Sequence, residues 1–153
     1  MSIRSVFLIV TYVLVVSALG STASGKDGAE APVATASQNP ELEWGPCPAF
    51  MPKGCGIAVL RGDPAADKAD VFLKVPANSQ IVSHGHTSAE RMVLVSGVLQ
   101  VTYEGHPPIM LRPGMYAYGT PKLAHKASCA NGEPCVLFIA FNSAIDAYEV
   151  PGK

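Results

Sequence analysis

His84-Gly85-His86-Thr87-Ser88-Ala89-Glu90-Arg91-Met92-Val93-Leu94-Val95-Ser96-Gly97 is the stretch around which the rest of the chain is organised, read together with His125 further on. Two histidines separated by one residue on a strand point to the same face, because side chains alternate with period two, and their ring nitrogens can converge on one ion. A continuous strand would carry Glu90 about 13 Å beyond His86, too far to share an ion whose ligands lie at about 2.0–2.2 Å. The chain is therefore expected to turn at Thr87-Ser88-Ala89, where small polar residues permit it. Glu90 then opens a new strand, Glu90–Val95, that ends at the Ser96-Gly97 hairpin signal. If Glu90 points inward, Met92 and Leu94 follow it in, while Arg91 and Val93 face outward or toward a partner.

Outward from this stretch the chain shows short strand-like runs bounded by turn residues. Ile57–Arg61, Asp70–Val75 and Ile81–His86 precede it. Val98–Tyr103, Pro108–Leu111, Met115–Tyr118, His125–Ser128, Val136–Phe141 and Ala147–Val150 follow. With 48% apolar residues, 14 Gly and 13 Pro, and almost no helical periodicity, the composition favours an all-β sandwich or barrel of the double-stranded, jelly-roll type. On Asp70–Val75 the alternation turns Lys74 to water and Val71, Leu73 and Val75 to the barrel interior. Tyr103, Tyr116 or Tyr118, and Phe138 are candidate pocket walls, or simply fill the core.

The 153 residues carry a formal charge of −1, with no basic stripe or charge block to suggest nucleic acid or an acidic membrane as partner. At the N-terminus Arg4 precedes an apolar run from Val6 to Leu19, followed by the small residues Ser21-Thr22-Ala23. This is signal-peptide grammar over residues 1–23; the alternative, a retained anchor, needs about 20 apolar residues, more than the run supplies. Residues 24–40 are rich in Ala, Ser, Gly and Thr and read as a flexible linker, which leaves 41–153 as one β-barrel domain in a periplasmic or secreted protein, free of the membrane once the leader is removed. Four cysteines in an exported chain read as two disulfides with three possible connectivities, of which the local pairs Cys47–Cys55 and Cys129–Cys135 close short loops at turns. Thiolate metal binding is the rival, disfavoured by export and by the lack of a Cys-x-x-Cys.

The central stretch resembles the first motif of the cupin superfamily: Gly, five residues, His-x-His, three or four residues, Glu, six residues, Gly. His84, His86, Glu90 and Gly97 fall on that spacing, with Asn78 at the leading Gly position. The second motif starts with Gly and places His eleven residues later, as Gly114 and His125 do. Pro121 lies one place late, and Lys122 and Cys129 stand where Gly and Asn are usual. The likeness runs from about Trp44 to Val150 and is nearest to small exported single-domain bacterial cupins of the cupin_2 or ChrR-like kind.

What the resemblance implies is one divalent transition metal ion held by His84, His86, Glu90 and His125; His106, in the Glu104-Gly105-His106-Pro107 turn, is left to solvent. Three imidazoles and one carboxylate suit Fe, Mn, Ni, Cu or Zn. It also implies dioxygenase, isomerase or lyase chemistry on a small organic molecule as the leading function, with a non-catalytic metal- or ligand-binding protein as the alternative. A homodimer is expected as well, with Glu41–Phe50 either reaching a two-fold partner or covering its own barrel.

Overall fold

Alternating apolar residues broken by Gly- and Pro-containing turns produce eleven strands among the residues described. They are β1 (Gly45–Pro46), β2 (Gly56–Arg61), β3 (Asp70–Val75), β4 (Ser79–Gly85), β5 (Glu90–Ser96), β6 (Leu99–Tyr103), β7 (Ile109–Leu111), β8 (Tyr116–Gly119), β9 (His125–Cys129), β10 (Cys135–Phe141) and β11 (Tyr148–Glu149). The structure, a computed structural model, describes residues 33–130 and 132–151. The expected leader, the linker as far as residue 32, and Asn131 lie outside the described residues. The strands form two antiparallel sheets, one of order β1-β2-β3-β10-β5-β8 and one of order β11-β4-β9-β6-β7. This is the expected all-β jelly roll, with β1 as an addition that pairs Gly45 with Ile57 and Pro46 with Gly56.

Period-two alternation sets the interior. On β5 Glu90, Met92 and Leu94 are buried while Arg91 is exposed, and β10, flanked by β3 and β5, turns Leu137, Ile139 and Phe141 to the same interior. A second apolar cluster lies on the outer face of the larger sheet, where Leu42 and Trp44 pack against Ala58, Phe72 and Val136. The Lys74 Nζ sits 3.9 Å above the Trp44 ring, so this side chain is held by a cation–π contact instead of standing free in water. Within Glu41–Phe50, Leu42 and Trp44 thus cover the chain's own sheet.

Three aromatic expectations fail for one reason. Tyr116 pairs with Val93, Tyr118 with Arg91, and Phe138 with Val93 and Phe72, all of which are outward positions. Tyr116 and Tyr118 are exposed and Phe138 belongs to the outer cluster, so of the four only Tyr103 faces the site. Cross-strand register decides this, and register follows from pairing between distant segments.

Both local disulfides form, Cys47–Cys55 with Cα atoms 5.7 Å apart and Cys129–Cys135 with 5.9 Å. The second joins β9 of one sheet to β10 of the other, stapling the sheets at one end of the barrel. The motif departures have backbone counterparts: Asn78 (φ 54) and Lys122 (φ 64) adopt the left-handed conformation of the glycines they replace. Gly97 is doubly constrained, by φ 82 and because a Cβ there would lie 2.9 Å from Cys135.

Candidate metal centre

β4 delivers His84 and the bend that follows delivers His86. Glu90 opens β5 and His125 opens β9, so three separate strand ends bring four polar side chains to one end of the interior. The bend falls at Thr87-Ser88, as the spacing required. It is held by hydrogen bonds across the barrel: Asn142 and Ser143 donate their backbone N–H to Ser88 Oγ at 3.0 and 3.2 Å. The backbone N–H of Lys122, in the second motif, donates to the His86 carbonyl at 2.7 Å.

All four side chains are buried, and one ring nitrogen from each of His84, His86 and His125 lies within 4.8 Å of the other two. Each Nδ1 contacts a backbone carbonyl: His84 that of Val82 at 2.8 Å, His125 that of Leu123 at 3.2 Å, and His86 that of Asp146. A carbonyl can only accept, so each Nδ1 carries a proton, and on a neutral ring this leaves the Nε2 with its lone pair. Such backbone partners are the usual means by which a ligating imidazole is oriented. Burial lowers the His84 pKa to about 4, and burial together with neighbouring His84 lowers that of His125 to about 3, so both rings are neutral at ordinary pH.

Glu90 completes the arrangement. Its Oε1 lies 3.3 Å from His86 Nε2 and its Oε2 lies 3.4 Å from His125 Nε2. Burial raises the carboxyl pKa, while the charge of His86 opposes this as the smaller effect. Among the described residues, His86 Nε2 and Glu90 Oε2 have no hydrogen-bond partner. Carboxylate oxygens and imidazole lone pairs facing one another without a proton repel, unless a cation lies among them. Two ligand atoms each about 2.1 Å from one ion, at angles of about 90–110°, are separated by about 3.0–3.4 Å. The two separations of Glu90 from His86 and His125 match that spacing, and the donor set fits a divalent transition metal.

Two neighbours were not apparent from the sequence. Asp146 gives its main-chain oxygen to His86, while its carboxylate accepts from the Thr87 backbone N–H at 2.9 Å and the Thr87 hydroxyl at 2.6 Å. It thus clamps the bend next to the ring it orients, a contact across sixty residues that no local pattern announces. Phe50, in the loop pinned by Cys47–Cys55, stacks obliquely on His84 at 5.9 Å. The Tyr103 ring lies 5.3 Å from that of His125, and its buried hydroxyl is unpartnered; burial and then the charge of Glu90 push its pKa up to about 12, so it stays protonated. His106 is exposed in its turn, away from the group.

The four side chains form the polar end of a cavity of about 370 Å³. Its remaining wall comes from both sheets and from the Pro46–Met51 loop.

Residues 33–144 match the model of the ChrR cupin-like domain family. Among curated proteins, none matches the chain in sequence. Of solved structures, the chain is similar to the DMSP lyase DddQ from Ruegeria pomeroyi DSS-3 (18% identity, TM-score 0.61, covering 71% of this chain and 60% of that one). It is also similar to the polyketide cyclase RemF from Streptomyces resistomycificus (12% identity, TM-score 0.64, 79% and 88%). A third is an RmlC-like cupin from Shewanella frigidimarina NCIMB 400 (18% identity, TM-score 0.57, 71% and 89%). The chain spans less than two thirds of the length of the DMSP lyase chains it matches, and identities this low speak for the fold alone. On the family match and the shared barrel, the chain belongs to the ChrR cupin-like domain family of the cupin superfamily.

Proposed function

We propose that this protein is an exported metal-dependent cupin in which His84, His86, His125 and Glu90 hold one divalent ion and a small organic molecule reacts beside it. The observation that carries the reading is the convergence of three buried imidazoles and one buried carboxylate at one end of a cavity whose other described walls are hydrocarbon. An ion held there supplies Lewis-acid polarisation of a carbonyl or hydroxyl, a more acidic bound water or, if redox-active, dioxygen chemistry. The chain's own residues orient the rings through the Val82, Leu123 and Asp146 carbonyls, and the apolar wall excludes water from the reacting group. Oxygenase chemistry is the leading reaction class. The fold is shared with a lyase and a cyclase, which keeps lyase or isomerase chemistry beside it.

Export is supported by the leader-like N-terminus and by two disulfides, which persist in oxidising compartments. The second reading is a protein that holds metal and ligand without turnover. It is favoured by the described cavity lining having no polar side chain beyond the four and Asp146 to act as acid or base. Metal analysis of protein purified from the exported fraction, combined with oxygen-uptake measurements, tests both. Bound Fe or Mn with oxygen consumption supports the enzyme, tightly held Cu or Zn without turnover supports the binder, and metal-free protein that takes up no ion removes both. A homodimer is part of the same proposal, and light scattering at tens of micromolar should give about twice the chain mass.

A further inference from the structure

Among the described residues that line the cavity, only His84, His86, Glu90, His125 and Asp146 have polar side chains. The wall leading away from the histidines is hydrocarbon, with Val71, Leu73, Leu99, Val101, Leu137 and Ile139 at its core. Among the described residues, no lysine, arginine, amide or hydroxyl side chain lines it. The polar groups present are also committed: each histidine Nδ1–H is spent on a carbonyl, and the Asp146 carboxylate is taken by Thr87. Away from the histidine end, where Asp146 sits, the described wall therefore offers no counter-charge and no side-chain hydrogen-bond donor to any group placed against it. A polar group buried there loses its water and gains nothing, which is costly for a hydroxyl and far more so for a charge. The volume lies at the small end of the ~300–1,000 Å³ range of ligand pockets, so a ligand that reaches the histidines has little room to fold its far end elsewhere.

We propose that the site takes small molecules that are polar at one end only: an oxygen-bearing end turned toward the three histidines and a hydrocarbon body along the Leu73–Leu137 wall. Zwitterions, dicarboxylates and sugars are excluded, because each places a second polar or charged group against hydrocarbon. The inference rests on the reading of the histidine end as a metal site, but its selectivity comes from the opposite wall.

Three probes with one skeleton separate the two. 4-Ethylphenol, tyramine and 4-hydroxyphenylacetate share a phenol end and a two-carbon arm, and differ in whether the arm ends in methyl, ammonium or carboxylate. Calorimetric titration of the full chain, loaded with Zn(II) or stripped by chelator, should show 4-ethylphenol binding roughly a hundredfold more tightly than either charged analogue. Val59 lies at the cavity rim, 45% exposed, so Val59→Arg adds a guanidinium without burying it. That variant, with its fold checked by circular dichroism, should improve 4-hydroxyphenylacetate binding at least tenfold and leave tyramine excluded. Equal affinity for the charged and uncharged probes in the unaltered protein overturns the proposal. Failure to take up Zn(II) sinks the metal reading instead, and the order of the three probes on the stripped protein still decides this one.

Discussion

Glu90→Gln keeps the shape of the side chain and removes its charge, and the structure gives it opposite consequences with and without metal. In the metal-free protein Glu90 is 5% exposed, its Oε2 has no partner, and burial holds its pKa above the ordinary carboxylate value. A carboxylate carried there at neutral pH bears a desolvation penalty of several kcal/mol, which the lone pair of neutral His125 does not offset. A glutamine amide costs less to bury and can donate to a histidine Nε2 where the carboxylate could not. The substitution should therefore stabilise the metal-free protein by about 1–3 kcal/mol, or roughly 3–15 °C in Tm at this domain size. With metal at a hundred times its dissociation constant, the unaltered protein gains about 2.7 kcal/mol and the variant, short of its anionic ligand, gains little. The melting order should thus invert between chelator and metal.

The pH dependence carries a second signature in chelator. The folded pKa of Glu90 is raised, so its stabilising contribution is complete below 4.5 and is lost as pH rises through the folded value; the variant's advantage grows with pH. His84 and His125 are lowered from 6.5 to about 4 and about 3, so their contribution is present above 6.5 and fades as pH falls toward those values, equally in both proteins. Calorimetric melts between about pH 5 and 9 check both trends. The reasoning fails if the chelated variant melts below the unaltered protein, or gains as much from metal.

His84→Ala with His86→Ala should lose nearly all metal while His106→Ala retains about one ion per chain, measured by elemental analysis after gel filtration; equal contents would dissolve the proposed site. Cys129→Ser with Cys135→Ser opens a loop of sequence separation 6 and should cost about 2.3 kcal/mol in urea unfolding, with peptide mapping of the parent under non-reducing conditions finding both local bridges. Gly97→Ala should cost about 2–5 kcal/mol by combining left-handed strain with a Cβ 2.9 Å from Cys135, and unfolding within 1 kcal/mol of the parent would show that the hairpin adapts. Truncation to start at Cys47 strips Leu42 and Trp44 from Phe72 and should lower Tm; if light scattering of the parent shows a dimer, the truncated chain's mass tells whether that segment also joins subunits.

What could be read from the sequence follows how local the cause is. The His84/His86 alternation, the bend before Glu90, the inward face of β5 and the two short-loop disulfides depend on neighbours within a few residues, and each appears where the spacing puts it. Lys122 and Cys129 blur the second motif as letters, yet Lys122 keeps a glycine-like φ and His125 keeps its place. The outward turn of Tyr116, Tyr118 and Phe138 was beyond reach, since their faces are set by pairing to β5, which lies far away in sequence. Strand β1 has only two residues, too few to show a period. Asp146 acts on His86 through a main-chain oxygen, an atom every residue has, so no residue identity could signal it.

That last contact orders events in time. His84, His86 and Glu90 are made early in the domain, and His86 has no fixed orientation until Asp146, sixty residues later, has joined it. At ~5–20 residues per second, roughly 3–12 s of synthesis separate His86 from the group that aims it. A nascent chain therefore exposes a histidine pair without the rigid set that selects an ion. Metal uptake of the kind proposed would belong to the finished barrel, in whichever compartment that barrel closes.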